Sequence, residues 1–378
     1  MGDVDWHKCR FLESSENLKP LVQKRFGREP STTVAREIAA CLQQGRLFYE
    51  AAAKSPLDIR PLQLFYGMVG FSKALVVAHQ GRSLSTLTQK HGLKDISAHN
   101  SRIAELRIRI GNAGTFQDFN DVVAGLSLLH YTDNYSKPCT VLLPSAKSEQ
   151  LHDAEMSLQE ILSRIPRLES LYKMTFAEEP ETAYIGLATD YPNDTKFLVY
   201  VGDSELFTDR ESLRLIVSRW RAKFPFLRNW RLASAQRAYN RTELKFRNTS
   251  NSGIDEFSET YLVNEDGNFE SPTPIDEQDA PFPLETGLDP LGERGTYAIS
   301  PIRGRYISEF SFHYLGLFLL SSLVRYRPQT WMHAISRSAL QQAPVDDQAL
   351  SIIEQFLDLN SSVIPGMVVT VLNPHEDR

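Results

Sequence analysis

Residues 61 to 81 constrain the fold of this chain more than any other stretch. They read PLQLFYGMVGFSKALVVAHQG, and between positions 62 and 78 only Gln63 and Lys73 are strongly polar. A helix that is apolar on nearly every side has to be surrounded by other elements, so we expect it at the centre of a core. Small residues recur along it at spacings of three and four, which lets another helix backbone approach closely; they are Gly67, Gly70, Ala74 and Ala78.

Helical signals extend from this segment toward both ends of the chain. Pro61 suits the first turn of a helix and Gly81 suits its C-terminal cap. Residues 35–52 carry apolar side chains at the spacing of one amphipathic face, and residues 153–174 are also predicted to be helical. Helices resume at about residue 308 and continue to the C-terminus. The N-terminal and C-terminal regions are therefore expected to pack into one core.

The middle of the chain has a different pattern. TAYIGLATDYPNDTKFLVYVGD contains two β-rich runs around a YPND turn, which predicts a hairpin. Thr208 and Glu211 form a T-x-x-E capping box before a helical stripe that ends at Trp220. We therefore predict a mainly α protein with an α+β insert. Its four parts are a helical N-terminal region (1–178), the α+β insert with a basic helix (179–263), an acidic loop or linker rich in Pro and Gly (264–303) and a helical C-terminal region (304–378).

Composition indicates the cellular compartment of the protein and argues against several kinds of site. The chain has 378 residues, a formal net charge of −6 and three cysteines, none of them in a C-x-x-C pair. That odd count argues against a disulfide framework and against a zinc ribbon. The longest apolar run, YLGLFLLSSLV, is shorter than the roughly 20 residues of a membrane span, and MGDVDWHKCRF lacks the apolar region of a signal peptide. We expect a cytoplasmic protein with no membrane association, no metal and no cofactor.

Charge is unevenly distributed along the insert. Residues 212–247 contain ten basic side chains and one acidic one, Glu243, with aromatic residues interleaved, whereas residues 252–293 contain twelve acidic side chains and no basic one. Basic side chains neutralise phosphates and aromatic rings stack on unpaired bases. The candidate nucleic-acid contacts are Arg214, Arg219, Arg221, Lys223, Arg228, Arg231, Arg237 and Arg241.

Two interpretations of this segment stay open. In the first, the basic face binds RNA or DNA, and the acidic loop either mimics the nucleic acid or blocks its binding. In the second, the acidic loop neutralises the basic face, and the aromatic residues belong to the core. The capping box and apolar stripe place Trp220 inward on its helix, which favours the second interpretation for that residue.

The stretch LVRYRPQTWMH holds a candidate catalytic pair, Arg327 and His333. It is similar to the R-x(4–6)-H motif of HEPN-type ribonucleases, which implies a dimeric, metal-independent nuclease. His333 would act as general acid or base on a ribose 2′-hydroxyl, and Arg327 would stabilise charge on the phosphate. The alternative is structural, with His333 packed or on the surface and Arg327 capping a helix or forming an ion pair. Pro328 favours a new helix directly after Arg327, with Trp331 anchored in the core.

His91, in KHGLK, is a further catalytic candidate. Its alternative is structural, because a histidine before Gly92 can end a helix at a left-handed cap. Lys73 is either an amine with a perturbed pKa or an ordinary ion-paired or solvated side chain.

Four segments together resemble the YaaC-like family of bacterial proteins: QQGRLFYEAA (43–52), PLQLFYGMVGFSKALVVA (61–78), KHGLK (90–94) and LFLLSSLVRYRPQTW (317–331). Each segment is only moderately specific, whereas their order and spacing span most of the chain. The family pattern carries over to Tyr49, Pro61, Tyr66, Lys73, His91, Gly92, Arg325, Tyr326, Pro328 and Trp331. Since that pattern does not require His333, it argues against the nuclease hypothesis.

The resemblance implies little about activity, although some relatives resemble components suspected in antiviral defence of bacteria. Three hypotheses follow. The protein is a non-catalytic binder of RNA, DNA or a protein partner; it is a HEPN-type ribonuclease using Arg327 and His333; or it is a structural subunit of a larger complex or homodimer that uses the helix at 61–78 or the C-terminal helices as an interface.

Overall fold

Helices from both ends of the chain build the larger part of the molecule. The computed structural model describes residues 6–98, 101–124, 128–132, 138–142, 145–190, 193–248, 262–263, 268–270, 287–289, 296–335 and 349–373. The helices are α1 (Trp6–Leu12), α2 (Ser15–Phe26), α3 (Thr32–Ala52), α4 (Arg60–Gln80), α5 (Thr115–Ala124), α6 (Ser148–Leu151), α7 (Leu158–Leu162), α8 (Glu169–Phe176), α9 (Arg210–Lys223), α10 (Glu309–Tyr326), α11 (Pro328–Ile335) and α12 (Leu350–Leu372).

The strands form three antiparallel sheets. They are β1 (Leu93–Asp95), β2 (Arg107–Ile110), β3 (Leu128–Thr132), β4 (Pro138–Leu142), β5 (Glu155–Ser157), β6 (Thr182–Asp190), β7 (Asn193–Asp203), β8 (Arg231–Ala238), β9 (Arg241–Arg247), β10 (Leu262–Val263), β11 (Phe269–Glu270), β12 (Gly287–Asp289) and β13 (Thr296–Ile299). Strands β1, β2 and β5 make a small sheet, β3 pairs with β4, and the other strands make one sheet in the order β10-β11-β8-β9-β7-β6-β13-β12.

Helix α4 lies at the centre of the helical part, as its composition predicts. It packs against α3, α5, α10 and α12, so helices from both ends of the chain share one core. The small-residue stripe makes the approach of α3 possible: a Cβ atom on Gly70 would lie 3.0 Å from the backbone nitrogen of Gly45. Pro61 lies in the first turn of the helix, and Gly81 ends it in the left-handed conformation with φ of 62°. The prediction of a mainly α fold with an α+β insert is confirmed.

The insert is built around the long sheet and α9. Strands β6 and β7 form the predicted hairpin. Apolar residues of α9, including Ile216 and Trp220, pack on one face of the sheet against Val201 and Phe246 and make a second core. The predicted inward position of Trp220 is confirmed. The opposite face, which we call the open face, carries the alternate residues of the same strands.

Two predicted local structures are wrong. Residues 153–174 do not form one helix; β5 and the short α7 are followed by α8, because Pro166 interrupts the helical backbone and Arg167 turns into the left-handed region with φ of 74°. Helix α9 begins one residue later than the T-x-x-E box predicts. Its cap is Asp209, whose carboxylate accepts the backbone N–H of Ser212 at 2.8 Å.

The acidic segment 264–303, predicted as a loop, contributes strands to both edges of the long sheet. Strand β11 extends the β8 edge, and β13 pairs with β6, because Ala298 and Ile299 are apolar enough to be buried there. Most of the remaining acidic residues lie outside the described residues, as do 336–348 of the predicted C-terminal helices.

Two helices, α4 and α12, are long and apolar enough to cross a membrane when judged by length and composition alone. Within them, 78% of the apolar window of α4 and 56% of that of α12 is buried inside the protein. Core helices meet the same criterion, so this observation is weak evidence for a membrane.

Candidate functional site

The corner between α10 and α11 has the geometry that its proline predicts. Arg327 leaves the helical conformation, with φ of −138° and ψ of 53°, and Pro328 begins α11. Trp331 is 1% exposed and its indole nitrogen donates to the backbone oxygen of Asp58 at 2.9 Å. This corner therefore anchors the end of α10 in the core, as predicted for Trp331.

Arg327 uses its guanidinium to tie this corner to the small sheet. It forms an ion pair with Asp95 at 3.2 Å and donates to the backbone oxygens of Ser97 and Ala98. Asp95 also accepts hydrogen bonds from Ser97 and Ser322. These contacts favour the structural role of Arg327. The side chain of His333 lies outside the described residues, so the nuclease pair stays a prediction.

Two residues away, Arg325 faces a different environment. Its guanidinium carbon lies 5.6 Å from the ring centre of Phe65 and 5.0 Å from that of Tyr326. The Nε atom donates to the backbone oxygen of Ser321 at 3.2 Å. The side chain of Arg325 is half-buried.

Around the ring of Phe65 the fold gathers several residues of the family pattern. The imidazole of His91 meets Phe65 edge to face with centroids 5.2 Å apart, and Phe318 lies 6.2 Å from the same imidazole. Tyr66 contacts Phe65 from the next position of α4. We call this set the Phe65 cluster; it consists of Phe65, Tyr66, Lys73, His91, Arg325 and Tyr326.

The backbone at His91 is held firmly by the N-terminus of α5. The N–H groups of Thr115 and Phe116, which have no partner within the helix, donate to the oxygens of Lys90 and His91 at 2.8 and 3.1 Å. The oxygen of Gly92 accepts from Gln117 at 2.8 Å, and Gly92 itself is left-handed with φ of 76°. His91 does not end a helix, so the predicted helix cap is wrong. The glycine instead turns the chain into β1.

The electrostatics of the cluster are those of a group of positive charges. Burial lowers the pKa of His91 below its usual range, and the positive charges of Arg325 and Lys73 lower it further. Lys73 lies seven residues, about two helical turns, after Tyr66 and therefore on the same face of α4. The cluster combines an aromatic floor with two cationic side chains, one from α4 and one from α10, and the imidazole of His91.

The other residues of the family pattern have structural contacts. Gly92 and Pro328 set backbone turns, Pro61 lies in the first turn of α4, and Trp331 anchors the corner. Phe65 and Phe318, which form the floor of the cluster, were not singled out by sequence reasoning. Their only signal was the apolar character of the two helices that carry them.

Tyr49 belongs to a second group, which crosses the core from α3 to α10. Its hydroxyl donates to Oδ1 of Asn360 at 2.7 Å, and Nδ2 of Asn360 lies 3.3 Å from Nδ1 of His313. Nε2 of His313 lies 3.5 Å from the carboxyl oxygen of Glu309. We call these four residues the buried polar chain. Burial raises the pKa of Glu309 to about 7 and lowers that of His313 to about 3.

The basic segment of the insert is divided by the sheet. Most of its predicted contacts lie on the α9 side, where Arg219 pairs with Asp203 and Glu205, Arg228 donates to the backbone of Arg221, and Arg237 lies over the ring of Phe207. The other contacts on that side are Arg214 beside Glu211, Arg221 donating to Trp230, and Lys223 donating to Pro180. These arginines and this lysine are largely used in local structure.

A smaller basic set lies on the open face. Alternation along β9 sends Arg241, Lys245 and Arg247 to this face, together with Glu243, which forms an ion pair with Arg241 at 2.5 Å. Arg231 of β8 lies directly opposite Arg247 and is only 3% exposed. The side chains of Tyr184 and Tyr200 are 58% and 42% exposed on the same face. Together they line a concavity of about 630 Å³. The aromatic residues that the sequence suggested for stacking, Trp220 and Trp230, are buried in the second core instead.

Comparison with models of protein families tests the resemblance inferred from the four segments. A model of YaaC-like proteins matches residues 10–372. The chain belongs to the YaaC-like protein family. The resemblance inferred from four short segments is thereby confirmed, and the YaaC-like match extends over the helical part and the insert alike. No match was found among curated proteins or among solved structures.

Proposed function

We propose that this protein binds single-stranded nucleic acid on the open face of its eight-stranded sheet. The observation that supports the proposal is one concavity, of about 630 Å³, that contains both exposed tyrosine rings and basic side chains. Tyrosine rings stack on unpaired bases, and lysine and arginine neutralise phosphates. RNA-binding modules with a four-stranded sheet also stack bases on aromatic side chains of the sheet face.

The register of the strands arranges these groups in rows across the sheet. Tyr200 of β7 lies opposite Gly186 on one side and opposite Lys245 on the other. Tyr184 occupies the diagonal position on β6, so the Cα atoms of the two tyrosines are expected about 7–8 Å apart. Two neighbouring bases can therefore each meet one ring, while Lys245 lies beside the backbone that joins them.

The absence of a side chain at two glycines keeps this face accessible. Gly186 leaves room for Tyr200, whose Cβ atom would lie 3.3 Å from a Cβ atom added there. Gly202, on the neighbouring strand, faces the side chain of Arg241. Tyrosine rings on β6 and β7 therefore lie beside the polar side chains of β9, where Glu243 is paired with Arg241 and Lys245 is the cation opposite Tyr200. This arrangement suits an extended single strand.

The proposal is tested by fluorescence anisotropy with labelled single-stranded RNA and DNA of about 12 nucleotides and with a duplex of the same length. We expect the single strands to bind more tightly than the duplex, and the affinity to fall between about 50 mM and about 200 mM salt. Replacing Tyr184 or Tyr200 by alanine removes one stacking platform, which is worth about 1–3 kcal/mol per base.

Two matched controls separate the open face from the rest of the basic segment. Tyr239 is a fully exposed tyrosine in the turn between β8 and β9, and Tyr239→Ala is expected to leave affinity unchanged. Lys245→Glu is expected to weaken binding, whereas Arg214→Glu, on the outer side of α9, is not. Equal losses from both charge reversals, or no binding of any strand at low salt, would overturn the proposal.

A further inference from the structure

The Phe65 cluster has three nitrogen-bearing groups for which the described residues provide no hydrogen-bond partner. In the part of the chain that the structure describes, no hydrogen bond or ion pair involves the ammonium of Lys73, the ring nitrogens of His91 or the two Nη atoms of Arg325. Most arginines elsewhere in the helical part have acidic or carbonyl partners, as Arg46 does with Glu13 and Glu50. The Phe65 cluster therefore presents positive groups whose nitrogen atoms are not used by the described part of the fold.

Arg325 is held in an orientation that suits an anionic ligand. The rings of Phe65 and Tyr326 lie against its guanidinium, and Nε is used by the backbone oxygen of Ser321. The planar group is thus fixed, while both Nη atoms stay available. A fixed guanidinium edge of this kind matches two oxygens of a phosphate, and pre-ordering lowers the entropic cost of binding.

The fold places these groups around one ring and one helix face. Arg325 and His91 both lie against the ring of Phe65, and Lys73 lies two turns after Tyr66 on the same face of α4. The nearest acidic residue in sequence, Asp95, is already engaged by Arg327 and by two serines. Converging positive charges that no described acid neutralises raise the local concentration of anions.

We propose that the Phe65 cluster is a binding site for a small phosphate ester that carries a flat ring, that is, a nucleoside phosphate. Arg325 binds two phosphate oxygens through its Nη atoms, Lys73 contributes a second positive charge, and His91 donates to or accepts from the remaining oxygen according to its protonation. This site lies in the helical part and is distinct from the open face of the sheet.

Two exposed tyrosines at the cluster supply contacts for the ring of the ligand. Tyr326 is 72% exposed and Tyr66 is 38% exposed. Tyr66 is also in contact with Phe48 of α3, so aromatic surface extends from the cluster toward that helix. A base or other flat ring attached to the phosphate can therefore lie against tyrosine while the phosphate reaches Arg325.

The experiment is isothermal titration of the full chain with the four common nucleoside 5′-monophosphates, with adenosine and with inorganic phosphate. We expect at least one monophosphate to bind with a dissociation constant below about 1 mM, and adenosine to bind at least tenfold more weakly. Arg325→Gln, Lys73→Gln and His91→Asn are each expected to weaken the binding of that monophosphate by tenfold or more. Arg325→Lys, which keeps the charge but loses the planar edge, should give an intermediate loss.

Lys94→Gln provides the matched control, because Lys94 is an exposed lysine three residues from His91. It is expected to bind the monophosphate like the wild type. Circular dichroism and thermal unfolding establish that each variant is folded. The proposal is overturned if no monophosphate binds at about 1 mM, if adenosine binds as well as its monophosphate, or if the folded Arg325→Gln variant binds like the wild type.

The same variants distinguish this site from the one on the sheet. Lys245→Glu should leave monophosphate affinity unchanged, and Arg325→Gln should leave oligonucleotide affinity unchanged. Loss of monophosphate binding in Lys245→Glu, with retention in Arg325→Gln, would assign the nucleotide to the open face and remove it from the Phe65 cluster.

Discussion

The buried polar chain and the Phe65 cluster both place a histidine against an aromatic ring, and burial lowers the pKa of both histidines. His313 stacks on Phe356 with centroids 5.4 Å apart, and its neighbours Asn360 and Glu309 are polar groups of the protein itself. His91 instead faces two positive charges and no described hydrogen-bond partner. A lowered pKa alone therefore does not identify a binding site; the partners of the group do.

The same contrast separates two arginines at one helix end. Arg327 satisfies Asp95 and two backbone oxygens, and so stabilises the fold. Arg325 donates from Nε to a backbone oxygen, and its two Nη atoms have no hydrogen-bond or ion-pair partner among the described residues. Substitutions in the buried polar chain or at Arg327 are therefore expected to reduce stability. Substitutions in the Phe65 cluster are expected to reduce ligand binding and to leave stability nearly constant.

The largest loss of stability is expected from Asn360→Leu. It leaves two fully buried groups, the hydroxyl of Tyr49 and Nδ1 of His313, without their partner. Each such group costs about 1–3 kcal/mol, so the free energy of unfolding should fall by about 2–6 kcal/mol. Urea unfolding followed by circular dichroism measures it. Ser362→Ala on the exposed side of α12 is the control, and equal stability of the two variants would remove the distinction.

A smaller loss is expected from Asp95→Asn, which removes the charge that holds Arg327. Hydrogen bonds to charged groups contribute about 1.5–3 kcal/mol, and this pair is mostly shielded from solvent. The double variant Asp95→Asn with Arg327→Gln should be less than additive, because either change breaks the same pair. Strict additivity in urea unfolding would show that Arg327 does not stabilise the corner through Asp95.

The pH dependence of stability gives a third test of the buried polar chain. The pKa of His313 is about 3 in the folded protein and about 6.5 when unfolded, so the unfolded state binds more protons between these values. Its contribution is complete above pH 6.5 and is lost as pH falls, by about 2 kcal/mol at pH 5. Glu309, with a pKa raised to about 7, acts oppositely, since its contribution is present below pH 4.5 and is lost toward pH 7.

The difference between the wild type and His313→Gln isolates the histidine from this opposing effect. Thermal unfolding between pH 7 and pH 5 should show a smaller decline for the variant than for the wild type. Parallel declines would mean that His313 is protonated in the folded protein, which would contradict its complete burial.

Helix α4 could be predicted from the sequence because its signals are local. Apolar composition, a proline at the start, a glycine at the end and a stripe of small residues all lie within 21 residues. The same reasoning failed at residues 153–174, where one proline and one left-handed residue, Arg167, outweigh the helical spacing. The strand alternation of β9 could also have located the open face, since its odd positions are polar and its even positions are buried.

The Phe65 cluster could not be assembled in this way. Lys73, His91 and Arg325 are brought together by the packing of α10 on α4 and by the backbone contacts of His91 with α5. These contacts join residues far apart in the chain, so no local spacing in the sequence indicates them. The family pattern marked these residues without giving their arrangement. The density of charge along residues 212–247 was similarly uninformative, because most of those side chains are used by neighbouring backbone oxygens and acids.

The smallest change in stability is expected from Arg325→Gln and His91→Asn, and it is the most informative. Their side chains make few hydrogen bonds within the protein, and the loss of ring contacts is offset by relief of charge repulsion. Without ligand, the free energy of unfolding should therefore change by no more than about 0.5 kcal/mol. A ligand present at one hundred times its dissociation constant adds about 2.7 kcal/mol to the wild type. Thermal unfolding with and without the bound monophosphate should therefore separate the wild type from both variants, while Asp95→Asn, though less stable, keeps the full ligand-induced increase.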